Sequence, residues 1–212
     1  MGRPSSPKLS QAAIVDAAIE LGGTTGQFTL LQLARKLGVK QASLYNHVSG
    51  KPELIGLMRD RIHEDMAVKL DVGADWRDAV RIVAQAHRAL LIAHPWLIAD
   101  LAEAPAALGA AITTVENLAT VLSRAGFGPH ETRSIIGMID IIIIGASIDW
   151  FAPAELFPAA VIEGSTALAR AVRSAPADQD RAEAVFVYTL DLIVESLALR
   201  LQGPTKPSIA PS

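Results

Sequence analysis

The 212-residue chain contains no cysteine. That removes disulfide frameworks, thiolate metal sites and cysteine nucleophiles together. Its longest apolar run, Ile135 to Ile148, is interrupted by Asp140 and falls short of the roughly 20 residues that span a bilayer. The first ten residues are polar and carry two prolines, so no secretory leader is read there. The expectation is a cytoplasmic protein with no membrane segment. The sequence also lacks a G-x-S-x-G elbow, a P-loop and a G-x-G-x-x-G turn after a strand, which takes away the commonest hydrolase and nucleotide-binding readings. Gly22-Gly23-Thr24-Thr25-Gly26 is glycine-rich but has no Lys-Ser/Thr after it, so it reads as a turn that ends the first helix. His87 and His94 lie seven apart, about 10.5 Å along a helix, too far to share a metal ion. His63-Glu64 is followed by Ala67, where a zinc protease would need a second histidine. Asp140 and Asp149 fall on different faces. No catalytic residue, metal or cofactor is expected. An uncharacterised all-α enzyme stays as an alternative.

What is present is apolar and helical. Half the residues are hydrophobic, enough for a sizeable core, and no alternating strand pattern or internal repeat appears. The fold class is all-α. A net charge of −3 conceals an asymmetry. Residues 1–51 hold six cations against two anions, and the remainder thirteen against twenty. A basic head on an acidic body suits a nucleic-acid partner.

The head centres on Thr29 to Lys51. Thr29 can cap a helix, and Gln32 three residues on completes a capping box. Leu30, Leu33, Ala34 and Leu37 recur at helical spacing, and Gly38 permits a tight turn. A short second helix follows over about 41–47. Leu44 and Val48 share one face. Lys40, Gln41, Ala42, Ser43, Tyr45, Asn46, His47 and Lys51 are left to face outward. A helix that buries one stripe and offers amide, hydroxyl and cationic groups on the other suits the DNA major groove.

LARKLGV, then SLYNHVSGK, then a helix opening at Pro52-Glu53-Leu54 resembles the DNA-binding domain of the tetracycline-repressor (TetR) family of one-component transcription regulators. The likeness is close over the first quarter of the chain and extends to the rest in helical layout. It implies a ligand-responsive regulator, a repressor by family habit, that binds a palindromic double-stranded DNA operator as a homodimer. Thr29 joins the DNA-contacting set on this basis. Where the tetracycline repressors place Asn and His around drug and magnesium, this chain has Val83 and Leu101, which argues against a magnesium–tetracycline effector. Leu31 stands where they carry Arg, so the operator should differ. A helical small-molecule-binding protein without a DNA role is a further alternative.

The remaining layout is a first helix capped by Ser10, with Ile14, Ala17, Ala18 and Leu21 inward, and helices over about 53–70, 76–93, 96–102, 106–125, 130–151, 159–174 and 180–201. The head ends at 51, a helical body covers 52–202, and 203–212 is expected to be a disordered tail. The helix after His130 is apolar nearly all round, so both its sides need cover. One side can serve the body's core and the other, with Val185, Tyr188, Leu192 and Leu199 of the last helix, a second subunit. Met58, Ile62, Met66, Trp96, Met138 and Trp150, with His87 and Glu116 as polar groups on apolar faces, are candidates to line a pocket for a small apolar effector among helices 53–70, 76–93, 106–125 and 131–151. Its occupation would move the helix that follows the head.

Overall fold

The structure, a computed structural model, describes residues 9–66, 70–100, 110–153, 157, 163, 166–174 and 178–202. Among the described residues there are helices and connecting turns and no strand. The order is α1 (Gln11–Thr25), α2 (Leu30–Leu37), α3 (Gln41–Leu44), α4 (Lys51–Met66), α5 (Trp76–Ala93), α6 (Trp96–Asp100), α7 (Ala110–Ala125), α8 (Pro129–Trp150), α9 (Ala167–Ser174) and α10 (Asp178–Gln202). The chain divides into two compact units. One takes in Met1–Lys69 and Leu90–Glu116, the other Leu70–Ala89 and Asn117–Ser212.

In the first unit, α1 packs on α2 and α4, and α2 on α3. Ser10 caps α1 by accepting a bond from the Ala13 N–H at 3.2 Å. The helix does not stop at Gly22-Gly23, as the sequence suggested. It continues to Thr25 and ends at Gly26, whose φ is +76°. The hydroxyls of Thr24 and Thr25 donate back to carbonyls of the preceding turn, so the two threonines are accommodated within the last turn. Gly22 has a different reason to be glycine. It is buried in α1, and a Cβ there would lie 2.9 Å from Cδ2 and Cε2 of the Trp96 indole. The inward stripe is Ile14, Val15, Ala18 and Gly22, with Ala17 and Leu21 half-exposed. Phe28, Leu33, Leu44, Leu54 and Met58 complete the core of this unit. Asp60 of α4 has its Oδ1 shut off from solvent without a hydrogen bond, and burial pushes its carboxyl above the usual range, with Arg59 opposing and Glu64 adding to the rise.

In the second unit, α8 and α10 run antiparallel, and ion pairs close both ends. Arg200 near the end of α10 meets Glu131 at the start of α8 at 2.6 Å. Arg181 near the start of α10 grips both carboxylate oxygens of Asp149 at the end of α8, at 2.9 and 3.1 Å. The buried stripe of α8 is Thr132, Ile135, Ile139, Ile143 and Ser147, steps of three and then four residues that keep them on one side. It packs on α10, whose buried residues include Phe186, Leu190, Val194 and Leu197. Arg81 of α5 reaches Asp191 of α10 at 2.8 Å. Trp76 meets Phe127 edge to face with centroids 5.2 Å apart. Much of the apolar surface of α8 and α10 stays uncovered: Ile141 is 74% exposed, Leu199 69% and Tyr188 66%. A groove of about 450 Å³ lies between the two helices, lined by Ile135, Met138, Leu192 and Leu197 between His130 and Arg200.

Candidate nucleic-acid interface

The capping box at the head of α2 is complete. Thr29 Oγ1 accepts from the Gln32 N–H at 3.2 Å, and Gln32 Oε1 accepts from the Thr29 N–H at 2.8 Å. Two of the N–H groups that a helix start leaves unmatched are thereby satisfied, worth about 1 kcal/mol. At the other end Gly38 adopts φ +67°, a left-handed conformation that costs glycine little and other residues more. Its N–H bonds to the Arg35 carbonyl, and the Val39 N–H to that of Ala34. The chain is thus turned within two residues from α2 into Lys40 and α3.

The helix α3 is shorter than the spacing suggested. It ends at Leu44, and Tyr45, Asn46 and His47 form a following turn in which the N–H groups of His47 and Val48 both bond to the Leu44 carbonyl. Leu44 and Val48 are buried and fix the segment to the unit's core. Gln11 of α1 adds a bond from Nε2 to the His47 carbonyl at 3.1 Å, a tie that sequence spacing does not disclose. Outward lie Thr29, Lys40, Ala42, Asn46 and Tyr45, the last 51% exposed. Gln41, Ser43 and His47 are half-buried at the edge of the same surface. Lys51 starts α4 with its ammonium 5.6 Å from the centre of the Phe28 ring, a cation–π contact that orients the side chain. Ser49 and Glu53 lock the loop between them. The hydroxyl and N–H of Ser49 bond the carboxylate and hold it below the usual range.

The proposed effector residues fall in both units. In the first, Met58 and Ile62 are buried one turn apart on α4, and Trp96 is buried against Gly22. His94 stands edge-on to Trp96, centroids 6.1 Å apart, and burial lowers its pKa. Glu116 is exposed. In the second, Val83 is buried and His87 half-buried one turn later on α5. Met138 lines the groove between α8 and α10. Trp150 is half-buried, with its ring 5.1 Å from the guanidinium carbon of Arg88. Leu101 and the side chain of Met66 lie outside the described residues. Arg88 itself was passed over in the sequence. The available signal was its place four residues after Ala84 on the buried stripe of α5.

Residues 71–201 match the family described as tetracyclin repressor-like, C-terminal domain. The HTH-type transcriptional repressor DrrR1 of Streptomyces coeruleorubidus is 32% identical over 151 residues, which is 68% of this chain and 56% of that protein. The chain therefore spans just over half of that relative's length. The tetracycline repressor protein class D of Escherichia coli is 27% identical over 203 residues, covering 92% of this chain and 91% of that one. Among solved structures, the Streptomyces coelicolor TetR family protein ActR in complex with (S)-DNPA superimposes with a TM-score of 0.73 at 20% identity, over 90% of this chain and 98% of that one.

Proposed function

The chain belongs to the TetR family of transcription regulators, and from that premise we propose that it is a ligand-responsive repressor whose homodimer binds a palindromic DNA operator. The observation that carries this reading is the exposed edge of α3 and its following turn. Buried Leu44 and Val48 hold it in place from behind, and polar or small groups face away from the core. Gln41 reads a base edge, with an amide able to pair with adenine through two hydrogen bonds, and Ala42 sits against a thymine methyl. Lys40 reaches guanine or a phosphate. Thr29, Ser43, Tyr45, Asn46, His47 and Lys51 hold phosphates and set the register.

A two-fold operator needs a two-fold protein, and the uncovered apolar surface of α8 and α10 supplies a face for a second copy. The head is residues 1–51, and the body, 52–202, binds a small effector with a largely apolar surface, drawing on Val83, His87 and Trp150 in the second unit. The chain is not an enzyme in this reading, and it works where the DNA is, in the cytoplasm. Regulators named among its relatives, a repressor and a tetracycline repressor, support the same role. Binding that releases DNA must be reciprocal: a ligand that weakens DNA binding binds the DNA complex more weakly than the free protein.

A gel shift with the DNA flanking the protein's own coding region tests the proposal. A retarded band that an unrelated duplex does not compete away is expected. Equal competition by unrelated DNA would leave no operator for the protein to read.

A further inference from the structure

Arg88 stands where α5 calls for an aliphatic residue. Val80 and Ala84 precede it by two turns and one on the same stripe, and both are fully buried. Arg88 is 5% exposed. Removing a guanidinium from water is costly unless its N–H groups find acceptors. The protein supplies only part of what is needed. Nη1 donates to Oε2 of Glu183. Two rings lie against the group, with the centroid of Phe186 at 4.4 Å and that of Trp150 at 5.1 Å from the guanidinium carbon. Nε and Nη2 are shut off from solvent, and among the described residues neither has an acceptor.

The unmatched atoms form one functional edge. Nε–H and the neighbouring Nη2–H point in parallel, and this fork fits the two oxygens of a carboxylate. Glu183 occupies the opposite end, so the Nε/Nη2 edge is the one left for an acceptor. The Arg88–Glu183 pair is neutral as a unit, so a single negative charge meets less repulsion there than a double one.

We propose that the Nε/Nη2 edge of Arg88 is a carboxylate-binding position, and that the effector is an organic acid with an apolar portion lying along Trp150. This rests on the reading that the body binds an effector, and it narrows that effector from apolar to apolar with one carboxylate.

The test titrates the full-length protein with phenylacetate and 1-naphthylacetate, each beside its primary amide, by calorimetry. The amide keeps the shape but replaces one acceptor oxygen with a donor. At least one acid should bind about tenfold or more tightly than its amide, since two charge-assisted bonds are at stake. Arg88→Gln should abolish that preference. Arg88→Lys should abolish most of it, because it keeps the charge without the fork. The wild-type comparison stands alone if Arg88→Gln fails to fold. Equal binding of acid and amide, or no binding of any acid at millimolar concentration, overturns the proposal. Gel shifts with the same compounds separate it from the functional reading. Acids that bind with an Arg88-dependent preference yet leave DNA bound uphold the carboxylate position and count against an effector role for it. Amides that release DNA as well as the acids uphold ligand response and overturn the carboxylate position.

Discussion

Replacing Gly22 with alanine sets two opposed effects against each other inside one helix. Gly22 lies within α1, where alanine is favoured over glycine by about 1 kcal/mol from backbone entropy alone. The new Cβ would meet Cδ2 and Cε2 of Trp96 at 2.9 Å and Cε3 at 3.1 Å. The indole is rigid and buried, so it cannot swing aside as a flexible chain end would, and overpacking of this kind costs roughly 1–3 kcal/mol. The clash outweighs the helical gain, and Gly22→Ala should destabilise by about 1 kcal/mol net. Gly23 is the internal control. It is exposed, occupies the next position in the same helix, and a Cβ there meets nothing within 4 Å. Gly23→Ala should therefore stabilise by about 0.5–1 kcal/mol. For a chain of this size 1 kcal/mol moves the melting temperature by about 2–4 °C, so the two variants should fall on opposite sides of wild type in a thermal melt. If Gly22→Ala melts at or above Gly23→Ala, the packing of Trp96 on α1 is not as described.

Gln41→Ala should cost about 1–3 kcal/mol on the preferred operator and relax base preference at one position, as read by anisotropy against single-base variants. Lys51→Ala should instead weaken every duplex alike and reduce the slope of log K against log salt by about one. For assembly, Ile141→Glu is informative where Ile143→Glu is not. Ile143 is buried, so its loss would disturb a monomer too, whereas Ile141 is 74% exposed and its change should leave the fold intact while shifting light scattering from dimer to monomer. Asp60→Asn should raise the melting temperature at pH 7. The folded pKa of Asp60 is raised, so the fold binds its proton more tightly than the unfolded chain does, and the ionised form opposes folding above that range. The gain should shrink as pH falls through the carboxylate range, and a gain unchanged at pH 4 would contradict the burial argument.

What could be read from the sequence was what depends on near neighbours. The capping box joins residues three apart, Gly38 answers a local backbone demand, and Leu44 and Val48 share a face four residues apart; the geometry found at each agrees with the spacing. The end of α1 was misread for a reason with no local signal. Gly22-Gly23 looks like a helix stop, but Gly22 answers to Trp96, which folding brings back from far along the chain. Arg88 was missed for the same cause: its acceptor Glu183 lies 95 residues on, and its ring partners Trp150 and Phe186 come from two other helices. The uniform apolarity of α8 did suggest two covered sides. Which isoleucines face inward was fixed only by packing on α10, which buries Ile135, Ile139 and Ile143 and leaves Ile141 and Ile148 outside.

The most direct measurement of the central account is hydroxyl-radical footprinting of the protein on the DNA flanking its coding region. A homodimer that presents two copies of the α3 edge should protect two symmetry-related patches, their centres about one helical turn or a whole multiple apart. Gln41→Ala should require more protein for both patches together. A single unpaired patch, protection that drifts with the ends of the fragment, or a Gln41→Ala footprint identical to wild type would contradict the reading of this surface as the one that meets DNA.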